Sequence, residues 1–72
     1  MEEEIFLGLR CAEGINIENF NKKFNTDFTE KFSGIITKYR QSGHFKLKNG
    51  NIFLTLNGML ISNEIFSEFI EI

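Results

Sequence analysis

The stretch that decides the fold is His44-Phe45-Lys46-Leu47-Lys48-Asn49-Gly50-Asn51-Ile52-Phe53-Leu54-Thr55. Asn49-Gly50 is the strongest two-residue hairpin signal, because a type I′ turn needs positive φ at both central positions. Centring the pairing on that dipeptide sets Leu47 opposite Ile52 and Phe45 opposite Leu54. These four side chains then share one face, while Lys46 and Phe53 share the other. Turn chemistry and hydrophobic alternation therefore specify the same register. A two-stranded hairpin is marginal alone in water, so Phe45, Leu47, Ile52 and Leu54 are expected to pack on helices.

The flanking sequence supplies those helices. A first helix is predicted over 2–10, opened by Glu2, Glu3 and Glu4 where the macrodipole favours negative charge. Ile5, Phe6, Leu7 and Leu9 give it a broad apolar surface, and Gly8 marks a close backbone approach. Gly14 breaks the chain, since it takes positive φ cheaply. Asn16 is an N-cap for a short helix over 17–24, with Ile15, Phe20 and Phe24 along one side. Asp27 and Glu30 have capping-box spacing. Phe28, Phe32, Ile35, Ile36 and Tyr39 then follow helical periodicity as far as Gly43 in the C′ role. After the hairpin, Thr55 caps a last helix from Leu56 to the C-terminus, with Ile61 and Ile72 outside its apolar stripe. The expected order is helix, helix, helix, hairpin, helix. This is a mainly α chain with a β-hairpin, winged-helix-like, forming one domain over 1–72.

Seventy-two residues sit near the lower limit for a core without crosslinks or metals, and nine Phe with one Tyr answer that need. The net charge is −2 and the basic residues are scattered, so the basic face usual in a nucleic-acid module is not evident. Cys11 is the single cysteine, which excludes an internal disulfide and a thiolate metal cage and suits a cytoplasmic setting. No apolar run approaches the roughly 20 residues needed to cross a bilayer.

Chemistry-bearing constellations are sparse. His44 is the single histidine and is read as structural, just past a helix C-terminus. Cys11, beside Arg10 at the end of the first helix, is also read as structural. Arg10 and Glu13 either pair with one another near the helix end or reach a neighbouring domain. No phosphate loop, carboxylate pair or nucleophile–base arrangement is evident, so the chain is not expected to be an enzyme by itself.

Two blocks resemble a known family. Phe6-Leu7-Gly8-Leu9-Arg10, followed by Glu13-Gly14-Ile15, resembles the opening of the C-terminal domain of oxygen-independent coproporphyrinogen III oxidase-like radical SAM proteins. Leu54-Thr55, Gly58, Ser62-Asn63, Phe66 and Phe69 resemble the end of the same domain, and Leu-Thr-x-x-Gly also follows the wing in many winged-helix proteins. The resemblance implies a longer parent whose partial barrel holds a 4Fe-4S cluster and S-adenosylmethionine. Such parents oxidatively decarboxylate porphyrinogen propionates, and a related branch consists of heme chaperones. The parent's cluster ligands, three closely spaced cysteines, are absent from this chain, so no cofactor carries over. What carries over is a non-catalytic accessory domain with Arg10, Glu13, Gly14, Thr55, Gly58 and Asn63 at motif or interdomain positions. Its implied partner is the catalytic barrel of the same parent, and self-association of the isolated piece is an allied expectation. The competing expectations are a free-standing winged-helix DNA binder, using Lys46 and Lys48 on phosphates, and a protein-interaction module using Phe53 and the last helix.

Overall fold

A computed structural model describes residues 1–70, in which the chain runs α1 (Glu2–Arg10), β1 (Ile15–Asn16), α2 (Ile17–Phe24), α3 (Phe28–Lys31), α4 (Ser33–Gln41), β2 (Phe45–Lys48), β3 (Asn51–Leu54), α5 (Leu56–Leu60) and α6 (Ser62–Ile70). The expected contribution of Ile72 lies outside the described residues. The helix, helix, helix, hairpin, helix order is present, with three departures. The third helix is parted at Phe32, the last is parted at Ile61, and Ile15–Asn16 forms a strand.

The hairpin has the register read from the turn: Phe45 with Leu54, Lys46 with Phe53, Leu47 with Ile52 and Lys48 with Asn51. Asn49 and Gly50 both take positive φ, 54° and 79°, as a type I′ turn requires. β1 adds antiparallel to the far side of β3, pairing Ile15 with Ile52, and the sheet order is β1-β3-β2. The Asn16 amide donates to Asn51 Oδ1 at 2.9 Å, and Ile17 N–H donates to the Gly50 carbonyl at 3.0 Å. This order makes β3 central and leaves β2 at an edge. Ile52 is fully buried, with α1 lying against its strand, whereas Leu47 across from it is 37% exposed. Leu47 therefore departs from the expectation that all four hairpin side chains join the core; it sits near the turn on a strand that, among the described residues, has no neighbouring strand on its outer side.

Side-chain caps mark the starts of α2, α3 and α5. Asn16 Oδ1 accepts from Asn19 N–H at 2.9 Å, and Asp27 Oδ1 accepts from Glu30 N–H at 3.1 Å. Asn21 Oδ1 accepts from Phe28 N–H at 2.7 Å, tying α2 to the start of α3. α4 ends in a Schellman motif: His44 N–H donates to the Tyr39 carbonyl at 2.8 Å and Gly43 N–H to the Arg40 carbonyl at 3.1 Å. The His44 and Tyr39 rings meet edge to face at 5.8 Å, the side-chain contact that accompanies this motif.

Phe32 (φ −112°, ψ 26°) and Ile61 (φ −115°, ψ 25°) leave helical geometry at the two interruptions. Phe32 is buried there, 5.1 Å from the Phe28 ring and 4.9 Å from the Phe69 ring. Packing takes precedence over helical continuity at that point. The core is a chain of aromatic contacts, Phe24–Phe20–Phe28–Phe32–Phe69–Phe45–Tyr39, flanked by Ile5, Leu9, Ile36 and Ile65. Each such pair adds about 0.5–1.5 kcal/mol beyond the apolar area it buries.

Candidate functional site

The motif positions divide into two joints and three surface residues. In the first joint, Gly14 has φ +75°, and a Cβ there would collide with the Ile52 carbonyl and lie 2.6 Å from Phe53 Cβ. Only glycine lets the loop after α1 lie against β3. Gly8 has a related role, since a Cβ on it would sit 2.5 Å from Ile15 Cγ1.

Thr55 and Gly58 form the second joint. Thr55 Oγ1 accepts from Gly58 N–H at 3.2 Å and donates to the Gly43 carbonyl at 2.7 Å. Thr55 N–H donates to the His44 carbonyl at 2.9 Å. Gly58 is buried on that same carbonyl, which a Cβ would strike. One threonine thus caps α5 and fastens it to the base of the hairpin.

Arg10, Glu13 and Asn63 are exposed. The Arg10 guanidinium lies over the Phe66 ring at 5.2 Å, and Phe66 meets Phe6 at 5.0 Å. Arg10 packs on α6, and among the described residues it forms no ion pair with Glu13. Glu13 contributes its backbone carbonyl, which accepts from Asn51 Nδ2 at 3.1 Å. Asn63, Phe66 and Ile70 fall on one face of α6 by helical spacing.

Side chains with altered proton affinity cluster elsewhere. The Tyr39 hydroxyl donates to Glu68, and Lys38 Nζ lies 3.0 Å from the same carboxylate oxygen. Burial first, and then the bond to Glu68, raises the Tyr39 phenol well above its ordinary range. The bonds from Tyr39 and Lys38 hold the Glu68 carboxyl below its own. The link joins α4 to α6. No sequence pattern singled it out, because its members are 29 residues apart. His44 Nδ1 lies 2.5 Å from Ser42 Oγ, which itself donates to the Tyr39 carbonyl at 3.2 Å, so both side chains serve the end of α4. Cys11 is exposed, with its thiol 3.3 Å from the Leu7 carbonyl. Among the described residues, no group of three His, Cys, Asp or Glu could hold a metal ion, and no helix is long and apolar enough to cross a membrane.

Two surfaces stand out. On α5, Leu56 and Leu60 are 78% and 77% exposed, with Met59 beside them at 42%. Spacings of three and four put all three on one ridge. Leu7 on α1 and Ile70 on α6 are also exposed. The second surface is a groove of about 390 Å³ along β2, lined by Arg40, Gly43, Phe45, Lys46, Leu47, Lys48 and Phe53.

Comparison with known proteins gives this arrangement a family. The sequence model of the HemN C-terminal domain matches residues 1–61. The chain belongs to the HemN C-terminal domain family. It is 30% identical over 70 residues to a heme chaperone HemW of Bacillus subtilis (strain 168), covering 97% of this chain and 18% of that protein. It is 31% identical over 70 residues to a heme chaperone HemW of Lactococcus lactis subsp. lactis (strain IL1403), with the same coverage, 97% and 18%. The chain thus spans about a fifth of the length of these curated relatives. No solved structure matches it. The HemN C-terminal domain match includes both glycine joints, Arg10, Glu13 and the α5 ridge, and it ends where α5 gives way to α6. Asn63 lies beyond it.

Proposed function

We propose that this chain is the non-catalytic accessory domain of a HemN-like radical SAM parent in the heme chaperone branch, and that it packs against the parent's catalytic barrel. The observation that carries this reading is the α5 ridge. Leu56 and Leu60 leave more than three quarters of their surface in water, which is costly unless another apolar surface covers them. The family membership and the heme chaperone relatives support a barrel as that cover. A helix pair followed by a hairpin supports the winged-helix label for the domain, with β2 and β3 as the wing.

A 4Fe-4S cluster takes cysteine ligands, and this chain has one exposed cysteine. Its residues do not fit the cluster, which on this reading belongs with S-adenosylmethionine to the barrel, in the cytoplasm. Arg10, Glu13 and Asn63 are candidate interdomain contacts at the α1 and α6 margin. Gly14, Thr55 and Gly58 act by holding the domain's shape.

The test is reconstitution. The parent's barrel, expressed without this domain, should bind the 72-residue chain, and Leu56→Lys with Leu60→Lys should abolish binding while leaving the chain folded by circular dichroism. A barrel that ignores the wild-type chain, or binds the double variant equally well, would overturn the reading.

A further inference from the structure

The β2 edge carries a feature that the accessory role does not use. Lys48 and Asn51 flank a two-residue turn, so they form a hydrogen-bonded pair, and the alternation makes Lys46–Phe53 the next. The bond from Thr55 N–H to the His44 carbonyl at 2.9 Å continues that alternation. The backbone groups of Lys46 and Lys48 therefore point inward to β3. Those of Leu47 point outward, from the free side of a sheet ordered β1-β3-β2. Leu47 is 37% exposed and lines the open groove.

Charge completes the surface. Arg40, Lys46 and Lys48 are exposed around this groove and form no ion pair among the described residues. Lys46 and Lys48 project from the sheet face opposite Leu47, on either side of it along the strand.

We infer that β2 is a docking edge for an extended acidic segment of a partner protein, with the pattern acidic–apolar–acidic. The central residue sits opposite Leu47 and exchanges two backbone hydrogen bonds with it, its side chain against the Leu47 side chain. The flanking carboxylates then fall on the face of Lys46 and Lys48, as strand pairing requires. The same lysines oppose pairing with a second copy of β2, which would bring like charges together.

The test uses the 72-residue chain and two peptides of matched length, one alternating Glu with Val and one alternating Lys with Val. The acidic peptide should bind saturably, weaken as salt rises and slow hydrogen exchange at the Leu47 amide. The basic peptide should not bind. Replacing Lys46→Glu together with Lys48→Glu, both on exposed positions, should weaken the acidic peptide at least about tenfold and admit the basic one. Three outcomes overturn the inference: no saturable binding, binding that leaves Leu47 exchange unchanged, or displacement of the acidic peptide by a short single-stranded oligonucleotide at lower concentration.

Discussion

The Tyr39 hydroxyl on α4 donates to the Glu68 carboxylate on α6, while Lys38, one residue before Tyr39, reaches the same oxygen at 3.0 Å. Neither helix is long, and this link joins them beside the aromatic core. Tyr39 is 3% exposed, so an unpartnered hydroxyl there would go without water.

Replacing Tyr39→Phe should cost about 1–2 kcal/mol, toward the lower end for a bond to a charged group, because Glu68 is partly solvated. The pH profile should change with it. Glu68 has a folded pKa below its ordinary 4.5, so its contribution is complete above that value and is lost as pH falls through the folded value. Tyr39 has a folded pKa above its ordinary 10.0, so its contribution is complete below pH 10.0 and is lost as pH rises toward the folded value. Urea unfolding across pH should give a plateau between these limits for the wild type. Tyr39→Phe should flatten the alkaline limb and make the acid limb shallower. Parallel profiles for the two proteins would show that the bond does not contribute.

Two glycines should respond with opposite sign. Gly14→Ala forces an L side chain to φ +75° and drives its Cβ into the Ile52 carbonyl, a backbone atom that cannot swing away. The expected loss is at least about 2–3 kcal/mol. Gly34 lies in α4, exposed, and a Cβ at that position would meet nothing within 4 Å. Gly34→Ala should stabilise by up to about 1 kcal/mol through helix propensity. Thermal unfolding of the two variants separates these effects, and equal shifts in one direction would refute the steric account.

These glycines also mark what local sequence can specify. The Asn49-Gly50 turn, the Asn16 and Thr55 caps and the hairpin register were legible because each depends on residues within a few positions of one another. β1 was not, because Ile15 and Asn16 become a strand only by pairing with Ile52 and Asn51, far along the chain. The break at Phe32 was hidden for a related reason, since the periodic pattern runs through it unbroken; Ile61 stands off the apolar stripe, but that position alone does not say that the helix parts there. The candidate site was legible at its joints, where glycine and threonine carry steric and capping signatures. The Arg10 contact with Phe66 and the basic β2 edge depend on tertiary placement.

Thr55 should be sensitive to loss of its hydroxyl and tolerant of serine. Thr55→Val removes both the cap on Gly58 N–H and the bond to the Gly43 carbonyl, at an expected cost of about 1–2 kcal/mol. Thr55→Ser keeps both oxygen contacts and should recover most of that stability. If serine proves as destabilising as valine, the hydroxyl is not what fastens α5 to the hairpin.

Leu47 and Ile52 face one another across the hairpin, and the alternation pattern treats them alike. Sheet order separates them. Ile52 lies on the central strand, between β1 and β2, and is fully buried; Leu47 is on the edge and 37% exposed. Ile52→Ala should therefore leave a cavity and cost about 2–5 kcal/mol, whereas Leu47→Ala should cost about 1 kcal/mol or less. A chain this short has a total stability of only about 4–11 kcal/mol, so the first substitution takes a large part of it. Urea denaturation should show a markedly lower midpoint for Ile52→Ala and a small shift for Leu47→Ala. Equal costs would mean that Leu47 is covered in solution, and the same measurement repeated with the acidic peptide at saturation distinguishes the cause. If β2 accepts a strand, the peptide should stabilise the wild type more than Leu47→Ala, because the partner's central side chain loses its apolar contact.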